Sequence, residues 1–194
     1  MKLQDIDGYT PITQKSINSV KCTRIVSGEG SDKYNKYIQY LAKKVLLISA
    51  KRTDEHQYDE VGILARLDGT YESQPIYGYW NEKAGTSIID ITHSIEYNYM
   101  LDENKEQSLV FVHNHPNNSE LSINDVFSCL TAKEIKCTVA VGNNGCINYM
   151  IKTSYDFENI RLKIIKSILQ GTKKELICNK IINNPEKYYI DTNY

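Results

Sequence analysis

The sequence predicts an α+β fold, a central β-sheet with helices laid against it. Short runs rich in β-branched and aromatic residues, bounded by turn signals, occur at residues 61–67, 108–113, 137–141 and 147–151. Other segments carry apolar residues at helical spacing, above all Tyr34, Tyr37, Ile38, Leu41, Val45 and Ile48. At 194 residues the chain is long enough to bury one proper core, so a single globular unit is the default.

Taken in order, residues 1 to about 30 are polar and turn-rich, with residues 20–26 read as a strand and Gly28-Glu29-Gly30 as a break. An amphipathic helix then starts at Ser31 and packs on the sheet. Glu60 precedes Val61-Gly-Ile-Leu-Ala-Arg-Leu67, a buried strand that stops at the turn signal Asp68-Gly69. A hairpin partner follows around residues 71–79 and a short strand near 87–91. Residues 92–106 are ambiguous, with a helix at about 95–101. Residues 108–113 form a buried strand ending at His113, and Pro116 stops the extended chain. Ser122 caps a helix running through Val126, Phe127, Leu130 and Ile135, and residues 137–141 and 147–151 form a hairpin across Gly142-Asn-Asn-Gly145. The end is helical, at 157–169 and 173–182, and these basic amphipathic helices are expected to pack on their own domain. The chain divides into an N-terminal extension (1–54), a core (55–152) and a C-terminal helical extension (153–194).

Composition excludes several classes. With 23 basic and 24 acidic residues the formal net charge is −1, which provides no bulk electrostatic drive toward nucleic acid. Cys22, Cys129, Cys137, Cys146 and Cys178 are an odd set without a C-x-x-C pair, so they read as packing residues in a reducing compartment, not as a disulfide framework or structural zinc site. The N-terminus lacks the apolar stretch of a signal peptide, and no run of about 20 apolar residues exists. A soluble, cytoplasmic protein is expected. Fifteen tyrosines against three phenylalanines read as coding bias, not as a stacking function.

The chemistry concentrates at His113-Asn114-His115-Pro116 and Ser122-Ile123-Asn124-Asp125. Strand residues two apart point the same way, so His113 and His115 can present ring nitrogens to one point. Asp125 falls in the first turn of the following helix. Catalytic zinc takes three protein ligands and keeps a fourth position for water, and His113, His115 and Asp125 supply three. Each part also has a plain structural reading. His-x-His can be two surface histidines, and Ser122-x-x-Asp125 can be a helix N-terminus whose acidic residue favours the dipole. Cap and ligand are compatible roles for Asp125.

These residues resemble the JAMM (MPN+) metallopeptidases, including bacterial RadC-like and phage-type JAB domains, whose signature is an upstream Glu, His-x-His-Pro, a loop and Ser-x-x-Asp. Six residues separate His115 from Ser122, one fewer than in the family's commonest form. The resemblance covers roughly residues 55 to 152. It implies a mixed central sheet flanked by helices (JAB/MPN-like, a deaminase-like α/β sandwich) with extra C-terminal helices. It further implies a Zn2+ cofactor held by His113, His115 and Asp125, with Glu60 as the base that moves the water proton and Glu55 and Glu72 as fallbacks. Ser122 matches the family's Ser that stabilises the developing oxyanion. The substrate implied is a protein or peptide, with the cut bond next to a ubiquitin-like modifier in many relatives.

Other classes are weaker. A non-catalytic MPN-type binding module would be expected to have lost ligands, and this chain keeps them. A RadC-like DNA-associated role finds no support in the charge. The string His-Asn-His is not an HNH nuclease motif, whose residues are dispersed. A zinc deaminase would need His-x-Glu and Pro-Cys-x-x-Cys, both missing.

Overall fold

The computed structural model describes residues 9–22, 24–52, 59–81, 86–89, 94–154, 157–188 and 190–193. Its centre is strand β5, Leu109–His115, buried at all seven positions. On one side β5 pairs antiparallel with β1, Val61–Arg66, and on the other it pairs parallel with β6, Ile135–Gly142. Parallel neighbours need a crossover, here containing helix α4, Ile123–Thr131. A tight turn then leads to the antiparallel β7, Ile147–Lys152. Gly145 adopts φ 89° in that turn, and a Cβ there would meet the Ser16 carbonyl oxygen at 2.3 Å. Strand β2, Ile76–Tyr77, extends the edge beside β1, and β8, Ile190–Thr192, extends the other beside β7. The result is a mixed six-stranded sheet of order β2-β1-β5-β6-β7-β8. A separate two-stranded sheet joins β3, Tyr79–Asn81, to β4, Thr86–Ile88.

Alternation along the strands sorts the core into two faces. Val110, Val112, Val139 and Val141 face α1, Gln14–Ser19, and α2, Ser31–Ser49, where Ile38, Leu41, Ala42, Val45 and Leu46 form the buried stripe. Leu109, Phe111, Ala140 and Met150 face the other way, against α3, Ile95–Glu103, α4, α5, Phe157–Leu169, and α6, Lys174–Ile182. The C-terminal helices bury Phe157, Ile164, Ile177 and Ile181 on this face, as expected for self-packing, while Leu162, Leu169 and Leu176 stay exposed. Among the described residues no helix is long and apolar enough to cross a membrane. Cys22, Cys129, Cys137 and Cys178 are buried, and Cys146 is exposed.

Lys152 is fully buried and donates from Nζ to the Ala132 carbonyl at 2.6 Å, with its charge 4.9 Å from the Phe157 ring centroid. Arg161 Nη1 donates to the Thr131 carbonyl at 3.3 Å. Two cations thus satisfy carbonyls at the C-terminal end of α4, complementing its dipole. Burial pushes the Lys152 ammonium down to about 8.

Four expectations need correction. Residues 20–26 form no strand among those described, because side chains of α2 take their backbone groups: Cys22 N donates to Gln39 Oε1 at 3.2 Å, while Asn35 bonds both Val26 N and Val26 O at 2.8 Å. A short helix, α1, stands before them in a stretch read as turn-rich. Ile135 does not belong to α4, which stops at Thr131; it opens β6 opposite Leu109, where ladder pairing outweighs helical spacing. The tail is not wholly helical, since Ile190–Thr192 completes the sheet beside β7.

Candidate metal centre

The β-pleat puts Phe111, His113 and His115 on one face of β5 and Asn114 on the other. The strand runs past His113 through His115, two residues beyond the expected end. The two imidazoles converge, with Nε2 to Nε2 at 2.9 Å. In the β1–β5 register Gly62 pairs with His113, so one further pleat brings Glu60 beside His115 on the same face. Glu60 Oε1 lies 3.8 Å from His115 Nε2. The fourth group comes from the helix that follows: Asp125 Oδ1 is 3.3 Å from His113 Nε2, and Oδ2 is 3.5 Å from His115 Nε2.

Asp125 is held from behind. Ser122 N donates to Asp125 Oδ2 at 2.7 Å, and Asp125 N donates to Ser122 Oγ at 3.2 Å, forming the reciprocal capping box of α4. The expected cap therefore exists, and it leaves Asp125 Oδ1 facing His113. Ser122, Glu60, both histidines and Asp125 line one cavity.

The ring orientations have separate causes. His115 Nδ1 sits 2.9 Å from the Ser119 carbonyl and 3.0 Å from Ser119 Oγ. A carbonyl can only accept, so Nδ1 carries a proton toward it, and when the ring is neutral Nε2 turns its lone pair to the cluster. His113 is held by stacking on Phe111, with ring centroids 5.1 Å apart and planes 17° from parallel. Its Nδ1 is buried without a hydrogen-bond partner. Gly62 makes the Phe111 position available, because a Cβ there would meet the Phe111 ring at 2.8 Å.

Electrostatics follow from packing these groups away from water. Burial pushes the Glu60 carboxyl up to about 8, against the pull of His115. Burial disfavours charge on His115, but Asp125, Glu60 and the Ser119 carbonyl outweigh it and lift the imidazole to about 9. Burial keeps His113 below the usual imidazole range despite Asp125. Desolvation opposes charge on Asp125 as well, yet the two imidazoles hold it well below the usual carboxylate range.

This cluster can hold a metal ion. Glu60, His113 and His115 each place one donor atom within 4.8 Å of the others. Asp125 makes closer contacts to both imidazoles than Glu60 makes to His115. For donors about 2.0–2.2 Å from a tetrahedral ion, geometry requires edges of about 3.3–3.6 Å. The separations of 2.9, 3.3 and 3.5 Å between His113, His115 and Asp125 approach that spacing. Two buried nitrogen lone pairs and a carboxylate aimed at one point are a donor set that a cation satisfies.

Of the two fallback carboxylates, Glu72 is remote from the cluster. It pairs with Lys44 and accepts from Tyr37 Oη at 3.2 Å, on the α2 side. Glu55 lies outside the described residues. Sequence reasoning missed Asn114, Ser119, Phe111 and Gly62. Asn114 was visible only as the spacer of His-x-His. Ser119 acts partly through its carbonyl, which no residue type announces.

No family model, curated protein or solved structure matched the chain.

Proposed function

We propose that this chain is a zinc-dependent metallopeptidase of JAMM type with a JAB/MPN-like core, hydrolysing a peptide or isopeptide bond in a protein or peptide substrate. One observation carries the reading: two strand-borne imidazoles, a helix-borne carboxylate and a second carboxylate from the neighbouring strand converge at one cavity, in the chain order that the JAMM resemblance implies. His113, His115 and Asp125 are the zinc ligands and Glu60 is the base. The partition follows from distance, since Asp125 lies 3.3 and 3.5 Å from the two imidazoles and Glu60 lies farther out, 3.8 Å from His115.

Bound there, Zn2+ supplies Lewis acidity, which lets water lose a proton near neutral pH and polarises an amide carbonyl. Glu60 accepts that proton and delivers it to the departing amine. Its buried setting suits both halves of the task, because a carboxyl lifted toward neutral pH is a stronger base toward the water proton than an ordinary carboxylate and still holds that proton loosely enough to pass it to the more basic amine. Ser122 Oγ accepts the Asp125 N–H, which leaves its own hydroxyl proton to donate to the oxygen that becomes negative.

The test is cleavage of a panel of ubiquitin-like fusions and unstructured peptides by zinc-loaded protein, with and without a chelator. Chelator-sensitive hydrolysis is expected. Tight capture of a partner without any cleavage would support a binding module instead, and chelator-insensitive cleavage would remove zinc from the chemistry. In the same assay Ser122→Ala separates cap from catalyst. Loss of the cap alone costs about 1 kcal/mol of stability and spares turnover per folded molecule. Loss of an oxyanion donor lowers turnover by about 10²-fold or more with little change in substrate binding. Both effects are expected, with the kinetic one larger.

Zinc uptake should also depend on pH. At pH 7 the metal-free cluster carries protons on His115 and Glu60, whose values lie near 9 and 8. The His115 proton must leave for Nε2 to bind, and a nearby cation pulls the Glu60 proton off as well. Zinc affinity should therefore rise with pH, by about tenfold per unit for each proton released, the Glu60 contribution ending near pH 8 and the His115 contribution near pH 9. Calorimetry in buffers of different ionisation enthalpy should detect one to two protons released at pH 7. Uptake without proton release would contradict the ligand assignment.

A further inference from the structure

Two of the three residues after His115, Pro116 and Asn118, are stitched to a segment more than a hundred positions earlier in the chain. Thr10 N donates to the Pro116 carbonyl at 3.0 Å, and Asn118 Nδ2 donates to Thr10 Oγ1 at 2.5 Å. The Thr10 carbonyl accepts from Asn143 Nδ2 at 2.8 Å. Asn118 N and Asn143 N both donate to the His115 carbonyl, at 3.0 and 3.3 Å. Asn118 adopts φ 60°, a left-handed conformation that Asn tolerates better than most residues, and this aims its side chain at Thr10 and at Asn144 N, 2.9 Å away.

The network continues beneath the histidines. Asn143 and Asn114 are both fully buried, and Asn114 Nδ2 donates to Asn143 Oδ1 at 3.0 Å. Asn114 Nδ2 also lies 3.4 Å from Ser49 Oγ on α2, while its Oδ1 accepts from Val61 N at 2.7 Å. Val61 directly follows Glu60. An unbroken hydrogen-bonded path therefore runs from the N-terminal segment, around the backbone of His115, to the peptide that carries Glu60. Buried amides so fully engaged fix a geometry, since losing one partner leaves the others unsatisfied.

We propose that the segment at Thr10 is the outer clasp of the metal-ligand loop, and that Asn143, Asn118 and Asn114 are positioning residues holding His115 against Glu60. The proposal rests on reading His113 and His115 as metal ligands. Residues that orient ligands from behind typically alter metal affinity by about 10–100-fold when changed.

The experiment compares full-length wild type with Thr10→Val and Asn143→Asp. The first keeps the shape and removes only the acceptor for Asn118. The second keeps the acceptor for Asn114 and removes the donor to the Thr10 carbonyl. Two readouts are taken: zinc affinity by chelator competition, and amide hydrogen exchange over residues 117–119. Expected are a fall in zinc affinity of about tenfold or more in Asn143→Asp, a smaller fall in Thr10→Val, and exchange faster by about fivefold in both. The absorption bands of the Co2+-substituted protein should shift, which a general loss of stability would not produce. Unchanged affinity with unchanged exchange in folded variants overturns the clasp. If wild type binds no zinc yet exchange quickens in both variants, the metal reading fails and the clasp on the loop stands. Should Asn143→Asp fail to fold, Thr10→Val decides alone.

Discussion

Glu60→Gln is expected to keep about one zinc per chain and to lose turnover by about 10²-fold or more, the usual cost of removing a general base. Gln preserves the shape of the side chain and a polar contact, but cannot take a proton. The carboxylate lies 3.8 Å from His115 Nε2, farther than Asp125 lies from either imidazole, so its loss should spare the ligand set. Metal analysis and steady-state kinetics on one preparation read both quantities. Undiminished turnover at full zinc would take the role from Glu60 and direct attention to Glu55, because Glu72 is already engaged by Lys44 and Tyr37.

The His113→Ala, His115→Ala double variant should lose nearly all bound zinc, and activity with it, while remaining folded. A single carboxylate with one nearby acid cannot replace a three-ligand site. The fold should survive because β5 is held by ladders to β1 and β6 and by apolar packing of Leu109, Val110, Phe111 and Val112 on both faces of the sheet. Asp125 also keeps its place without the histidines, through the Ser122 backbone N–H. Elemental analysis and circular dichroism check the two halves. A double variant that still carries one zinc per chain would end the assignment.

Much of the site was legible because its geometry is local. His-x-His on an apolar run puts two rings on one side of a strand whatever surrounds it. Ser-x-x-Asp describes a capping box through neighbouring backbone alone, and the structure contains that box. Glu60 was harder. Its place beside His115 depends on the β1–β5 register, a pairing between residues about fifty positions apart, and only the family resemblance singled it out over Glu55 and Glu72. Asn114, fully buried and bonded to three different elements, was legible only as a spacer.

The sequence by itself determined the alternation and periodicity of this protein: the strand character of residues 61–66, 109–113, 137–141 and 147–151, where Ser31–Ser49 presents its apolar stripe, and that His113, His115 and Asp125 fall where their side chains can converge. These follow from neighbours a few residues apart, whose relation is set by backbone geometry. Only the tertiary structure decided which long-range partner each backbone group found. Residues 20–26 have the composition of a strand, yet Gln39 and Asn35 of α2 take their hydrogen bonds; Ile135 has the spacing of a helix, yet it pairs with Leu109; and Ile190–Thr192 becomes a strand because β7 offers an open edge. In each case a local preference worth less than about 1 kcal/mol per residue met buried polar groups that are costlier to leave unpaired, and the pairing won.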